Sequence, residues 1–399
     1  MKKLAINGGN PIIEHKMPAR IAFGVKEQKM ISKVINFYKA QNADPGYQGY
    51  FEEEYCKVFS NYLGGGYSDA VATGTIAVYI AIAALKLEKN SEVLCSPITD
   101  PGTISAITLN GLIPKLVDSE KNSYNTSILQ ILKRINSKTK AIVLVHSAGY
   151  SIDMKKIIKL AKSKKIKIIE DCSQAHGAEF NKKKVGTFGD VSAFSTMYRK
   201  ASISGGCGGI VFTKNKEIYK NILAFSDRGK PRWKKKFDDR DPSKFLFPSL
   251  NFHTNEISCA IGISSIQRLE KTRLKRLNFV KRLSKLINSE TKYCRSYGYD
   301  KHSSPFFFPV FVNDKKLKVS KKKFATALKA EGVDLNVQYK YVICEWPWVI
   351  SYLADNYMCK NAIDVVNHSF NIYLNENYGN REVNAIIKAI KKVEFFYKK

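Results

Sequence analysis

The chain has 399 residues, 44% hydrophobic and 25% charged, with 24 glycines and 12 prolines. This excludes a collagen-like or disordered chain and is too long for one small core, so two domains are expected. Its 66 basic and 35 acidic residues give a formal charge of +31, which raises the question of a nucleic-acid or acidic-membrane partner.

Neither partner is expected. The lysines are scattered, with only short clusters such as Lys182–Lys184, Lys234–Lys236 and Lys321–Lys323. No zinc-finger spacing, RNA-binding aromatic signature or separate basic arm accompanies them, and a diffuse positive field suits an anionic small substrate. Cysteines 56, 95, 172, 207, 259, 294, 344 and 359 occur singly, without a CxxC pair. They read as reduced, mostly buried small hydrophobes of a cytoplasmic protein, with no metal expected. Met1–Ile6 meets Asn7-Gly8-Gly9 too early for a signal-peptide core, and no apolar stretch is long enough to span a membrane.

Residues 1–30 read as an extended arm. Helical patterns follow over 27–40 and 50–63, the second ended by Gly64-Gly65-Gly66. From 70 to about 215 short apolar runs alternate with helical patterns. The spacing predicts strands at Glu92–Ser96, Ile113–Val117, Ala141–His146, Ile166–Glu170, Val191–Ser195 and Gly209–Thr213. It predicts helices at Thr75–Leu85, Ile104–Asn110 and Met154–Ser163. Strands apolar on both faces and separated by helices indicate an α/β, mostly parallel sheet covered on both sides. Ligands of such sheets bind beyond the carboxyl ends of the strands, where Asp171 and Ser195 fall. Residues 226–256 look irregular. A basic helix then runs from about Glu256 to Leu286 and links to a smaller α+β domain, whose last helix carries Val383, Ile386, Ile387, Ile390 and Val393 as one stripe. The expected division is an arm over 1–30, a large domain over 31–260, and a linker helix with a small domain over 261–399.

Lys200 ends the run Phe194-Ser195-Thr196-Met197-Tyr198-Arg199-Lys200, just before Gly205-Gly206-Cys207-Gly208-Gly209. About thirty residues upstream stands Glu170-Asp171-Cys172-Ser173-Gln174-Ala175-His176-Gly177. A lysine amine forms a Schiff base with an aldehyde, and a carboxylate keeps a pyridinium nitrogen protonated. Gly74-Thr75 open a helix, whose free N–H groups and nearby hydroxyl make an anion site. Each feature alone has a bland reading. Thr73 or Thr75 caps its own helix, Asp171 is a surface cap, Gln174 and His176 are satisfied polar groups, and Lys200 is one lysine among many. Their order and spacing favour the chemical reading.

These segments resemble the DegT/DnrJ/EryC1/StrS family of sugar aminotransferases, which have the fold-type I pyridoxal phosphate architecture. The resemblance runs from about residue 27 to the end. It is carried by Val71-Ala72-Thr73-Gly74-Thr75, by Glu170 through Ala178, by Phe194 through Lys200 with the glycine cluster, and by Asn251 with Glu256 ahead of Ile257-Ser258-Cys259-Ala260-Ile261-Gly262. It implies that Lys200 is the Schiff-base lysine, that Asp171 pairs with the pyridinium nitrogen, and that Gln174 lies by the ring's phenolic oxygen. Gly74, Thr75 and Ser195 would hold the phosphate. Asn251 would reach the phosphate of the partner subunit, since family active sites lie at a dimer interface. Relatives that dehydrate sugars carry histidine at the lysine position, so Lys200 favours amino transfer.

Three departures fall at the mouth of the site. Asp100 stands where the family usually places a ring-stacking aromatic residue, His253 stands where it usually has arginine, and the loop after Lys200 is one residue longer. The expected reaction moves an amino group from glutamate or glutamine to a keto-sugar, most simply a nucleotide-linked one. A cyclitol or aminohydroxybenzoate-type ketone, a sugar dehydration, and a basic binding protein without activity are the alternatives. On the substrate side the expected residues are Asp100, His176, Arg228 and His253. Arg228-Gly229-Lys230-Pro231-Arg232-Trp233 would meet the diphosphate, and loops 226–256 and 334–348 would set substrate choice. A desolvated, positively charged setting would lower the pKa of Lys200.

Overall fold

The computed structural model describes residues 3–234 and 237–399. Met1 and Lys2 lie outside the described residues, as do Lys235 and Lys236 of the 234–236 cluster.

Seven strands form the central sheet, in the order Tyr67–Val71, Gly209–Thr213, Val191–Ser195, Lys167–Asp171, Thr139–Val145, Glu92–Cys95 and Ile113–Leu116. Gly209–Thr213 runs antiparallel to both its neighbours, and the other pairs are parallel. The near-continuous apolar runs follow from burial on both faces. Successive side chains enter opposite layers. Val143 and Ile169 pack with Ile80, Ile104 and Ile107 on one face, whereas Ile142, Leu144 and Ile168 pack with Ile157 and Ala161 on the other.

The predicted strands and helices recur within a few residues of their expected bounds. Several elements were not foreseen, the strand Tyr67–Val71 and the helix Lys216–Ser226 among them. The strand Tyr67–Val71 is too polar at Ser68-Asp69 to stand out. The helix Lys216–Ser226 is announced by Asn215, whose side chain accepts from the N–H groups of Glu217 and Ile218.

The helix Glu256–Glu290 joins two cores. Its first turns bury Cys259, Ala260, Ile263, Ile266 and Leu269 against the large domain. From Leu277 through Val280, Leu283 and Ile287 it packs in the second core. The change falls inside the helix, beyond the expected boundary at 260. The second core lies on a four-stranded antiparallel sheet in the order Cys294–Arg295, Phe307–Val312, Ser369–Tyr373 and Leu335–Asn336. The helices Lys321–Ala330 and Asn380–Tyr397 pack against it.

The N-terminal arm belongs to this second core. Leu4 is buried there, and Glu331 accepts from Ala5 N–H at 2.9 Å and Ile12 N–H at 3.0 Å. Gly332 sits at φ +94°, where a Cβ would meet the Ile13 carbonyl at 2.4 Å. No helix among the described residues is long and apolar enough to cross a membrane.

Candidate active site

A cavity of about 1050 Å³ opens at the carboxyl ends of the parallel strands. Val145, Asp171 and Ser195, each ending its strand, line it together with Gly74, Thr75, Asp100, Gln174 and Lys200. Strand ends set these positions. Asp171 pairs in register with Val145 on one side and Ala193 on the other.

The Lys200 side chain crosses the cavity with Nζ 4.5 Å from the centre of the Phe306 ring. Burial lowers its pKa, while Asp171 and Asp100 act in the opposite direction. The depression therefore comes from desolvation, and the expected positive setting is replaced by two carboxylates. A buried amine with a lowered pKa loses its proton more readily, and only the neutral form is a nucleophile or base.

Gly74 begins the helix Gly74–Ala83, and Thr73 is the cap, its Oγ1 accepting from Ile76 N–H at 3.1 Å. That arrangement leaves Thr75 free of the capping role, and Gly74 and Thr75, whose N–H groups have no partner within the helix, line the cavity. Gly74 has no room for a side chain, since a Cβ there would lie 2.4 Å from Ser195 Cβ and 2.7 Å from its Oγ. Ser195 N–H in turn donates to Ser173 Oγ at 3.0 Å. Gly74, Thr75 and Ser195 thus form one concave, donor-rich corner of the cavity. Gln174 also lines the cavity and is held by two hydrogen bonds. Its Oε1 accepts from Ala148 N–H at 2.9 Å, and its Nε2 donates to Tyr339 Oη at 3.4 Å. A helix start with a hydroxyl beside it, a carboxylate at a strand end and an amine in one cavity fit pyridoxal phosphate.

Beneath the floor lies a second, fully buried carboxylate. Glu170 accepts from the N–H groups of Gly186, Phe188 and Gly189 at 2.7–2.8 Å and from His146 Nε2 at 3.0 Å. Ile152 N–H donates to His146 Nδ1 at 3.1 Å, which assigns the ring hydrogen to Nε2. Burial pushes the Glu170 carboxyl up, but its hydrogen bonds outweigh this and hold it below the ordinary carboxylate range. Cys172 lies close to both side chains, but the ligand atoms of Glu170 and His146 are already engaged in this network.

The other expected site residues stand elsewhere. His176 is buried behind the cavity, its Nδ1 accepting from Ser202 N–H at 3.4 Å. Burial, reinforced by Lys200, Arg276 and Arg20, lowers its pKa to about 3, so it is neutral. His253 faces Asp227 at 3.2 Å and stacks on Tyr47. Arg228 pairs with the same Asp227 at 2.8 Å. Arg232 lies 3.7–3.8 Å from Glu52 and Asp69. The basic segment expected to meet a diphosphate is thus drawn to buried carboxylates, a preference that charge along the sequence does not reveal. Asn251 is exposed outside this chain's cavity and accepts from His253 N–H at 3.1 Å. Asp100 does line the cavity, and its Oδ1 caps the next helix by accepting from Gly102 N–H at 2.9 Å.

The cavity has walls in which the sequence singled out no residue. Lys16 through Arg20 of the arm form one, and Phe306, Phe307, Tyr339 and Tyr341 form another. Tyr339 and Tyr341 lie in the loop 334–348, where substrate choice was expected. That loop is clipped to the strand end of the large domain, with Ile343 N–H donating to Pro97 O at 2.9 Å and Thr99 N–H to Tyr341 O at 3.2 Å. Nothing in the arm's periodicity signals its place.

Comparison with known proteins agrees with this geometry. The chain is 29% identical over 331 residues to an uncharacterized protein of Methanocaldococcus jannaschii, covering 81% of this chain and 83% of that protein. It is 34% identical over 204 residues to the GDP-perosamine synthase of Escherichia coli O157:H7, covering 51% of this chain and 54% of that one. The fold matches an E. coli GDP-4-keto-6-deoxy-D-mannose-3-dehydratase solved with hydrated pyridoxal phosphate, with a TM-score of 0.84 and 23% identity over 94% of this chain and 100% of that chain. The model of the DegT/DnrJ/EryC1/StrS aminotransferase family matches residues 28–391. The chain belongs to that family and is a pyridoxal phosphate-dependent aminotransferase.

Proposed function

We propose that this enzyme moves an amino group from glutamate or glutamine to the ketone of a nucleotide-linked sugar, with Lys200 as the working amine and Asp171 as the partner of the ring nitrogen. The observation that carries the reading is the desolvated Lys200 amine in a cavity shared with Asp171 and the Gly74–Thr75–Ser195 corner. Pyridoxal phosphate, when bound, supplies an aldehyde that condenses with amines and a ring that accepts an electron pair. The corner would hold the phosphate, and Asp171 would keep a proton on the ring nitrogen. Gln174, held between Ala148 and Tyr339, would help to hold the ring. Lys200 Nζ, whose pKa burial lowers, would take the proton from the donor's carbon in one half of the cycle and supply one to the acceptor's carbon in the other. Histidine in place of this lysine would mark dehydration, so amino transfer is favoured.

The relatives support a keto-sugar as acceptor, and the charge of +31 suits an anionic one. We place Asn251 at the partner subunit's phosphate in a homodimer, a role consistent with its exposure outside its own chain's cavity. The test is borohydride reduction of the cofactor-loaded protein followed by peptide mass spectrometry. The cofactor is expected on Lys200, and Lys200→Ala should lose the visible band of the bound cofactor. Trapping on another lysine would sink the assignment. Incubation with glutamate and a nucleotide-diphosphate keto-sugar should yield the amino-sugar. If uncharged cyclitol ketones react equally well, the acceptor class is wrong while Lys200 keeps its role.

A further inference from the structure

The arm residues that wall the cavity are held from the C-terminal domain. Asn375 Nδ2 donates to Pro18 O at 2.8 Å, and Asn377 Nδ2 donates to Ala19 O at 2.9 Å. Arg20 then joins four parts of the molecule. Its Nη1 donates to the carbonyl of Tyr198 at 2.6 Å. Its Nε donates to the two oxygens of Glu376 at 3.1 and 3.2 Å. Glu376, in the turn after the strand Ser369–Tyr373, also accepts from Arg276 Nε at 3.2 Å and Nη2 at 2.9 Å. Arg276 belongs to the long helix and is 1% exposed. Glu376 is therefore the counter-charge of one buried guanidinium, Arg276, and one half-buried one, Arg20. Burial raises its carboxyl, and Arg276 and Arg20 outweigh that and hold it low.

Tyr198 lies in the turn that carries Lys200. Its N–H donates to Gly206 O at 3.2 Å, and Lys200 N–H donates to Met197 O at 2.9 Å. This turn is not part of a helix or strand. Beyond it the segment is tied by Thr196 N–H to Gly208 O and Ser204 N–H to Thr196 O, both at 2.8 Å, so between Met197 and Lys200 the bond from Arg20 is an added restraint. The bond from Arg20 reaches the carbonyl of Tyr198, which lies between Met197 and Arg199-Lys200. A lysine amine stands at the end of a four-carbon stem, so its location follows the backbone that carries it. The planar fork of arginine, bound at two of its edges, fixes direction as well as distance.

We propose that Arg20 is a positioning residue for Lys200: the N-terminal arm, anchored on Glu376, holds the turn that aims the working amine. The inference rests on Lys200 having the role given above. If that role is wrong, borohydride traps the cofactor on another lysine and Lys200→Ala still transfers the amino group. If only the present inference is wrong, wild type transfers and the Arg20 variants equal it.

The experiment compares Arg20→Ala, Arg20→Lys and Glu376→Gln. Steady-state kinetics is combined with amide hydrogen exchange of the segment 195–206 in cofactor-free protein. For Arg20→Ala a fall in kcat of about 10–100-fold is expected, with donor and acceptor KM within about twofold of wild type. Exchange in 195–206 should quicken about tenfold or more, while the core strands exchange as before. Arg20→Lys keeps the charge but loses the fork, so it should recover only part of kcat. Glu376→Gln should lose kcat in the same direction, and adding Arg20→Ala to it should cost no more than Arg20→Ala alone. A raised KM with wild-type kcat overturns the proposal, because Arg20 would then be binding a reactant. Wild-type kcat and exchange overturn it as well. If Arg20→Ala fails to fold, Arg20→Lys decides. A wild-type melting temperature with lowered kcat and faster exchange supports the role, and unchanged kcat and exchange refute it.

Discussion

Gly74 and Asp171 show how single residues define this site. Gly74→Ala places a methyl group 2.4 Å from Ser195 Cβ and 2.9 Å from its Cα, atoms that cannot swing away. We expect destabilisation of about 1–3 kcal/mol and a clear loss of cofactor affinity, read by fluorescence titration. A variant that binds cofactor like wild type would show that the phosphate sits elsewhere. Asp171→Asn keeps the size of the side chain and its acceptor for Ser173 N–H, which donates to Asp171 Oδ1 at 3.0 Å. The fold should persist, while turnover should fall about 10²–10³-fold, because a neutral amide no longer favours a protonated ring nitrogen. Wild-type turnover would leave Asp171 as no more than a local cap. Both residues were legible in the sequence because each sits at a strand or helix end with characteristic chemistry. Arg20, Phe306 and Tyr339 were not. They lie far from Lys200 along the chain and carry no local pattern, and only tertiary packing brings them to the cavity.

Among the elements, strand ends and loops behave differently. The parallel strands were readable because burial on both faces demands unbroken apolar runs, while Tyr67–Val71 escaped because its polar Ser68-Asp69 interrupts the run. The loop 226–256 misled for a related reason. Its arginines looked available, yet Asp227, Glu52 and Asp69 lie near enough in space to take them. The strand end at Glu170 makes a pH prediction. Its carboxyl lies below the ordinary value of 4.5, so the stability it contributes is complete above about pH 4.5 and is lost as pH falls through the lowered value. Chemical denaturation from pH 7 downward should show that loss only in the acid range. Glu170→Gln should be less stable at neutral pH by about 1–3 kcal/mol, since an amide NH₂ would face a backbone donor. Its stability should also fall less steeply on acidification. An equal acid slope in both proteins would shift the explanation to other carboxyls, Glu376 among them.

At the scale of the whole molecule, the proposed dimer is tested by complementation. Lys200→Ala and Asn251→Ala, each inactive alone, should together recover roughly a quarter of wild-type activity once subunits exchange, since half of the dimers are mixed and each holds one intact site. No recovery after proven exchange would remove Asn251 from the partner's cavity. The route of the chain has a further consequence. Leu4 is buried in a core built from Phe324, Leu328, Ile386 and Ile390, and Ala5 and Ile12 are tied to Glu331. Large domains commonly begin folding while still being synthesised, from the N-terminal end. The segment at residues 4–12 therefore has no complete binding surface until the helix Asn380–Tyr397 has been made. All seven strands of the large sheet precede that helix along the chain, so the floor that carries Asp171 and Ser195 can form before the arm closes the cavity's wall.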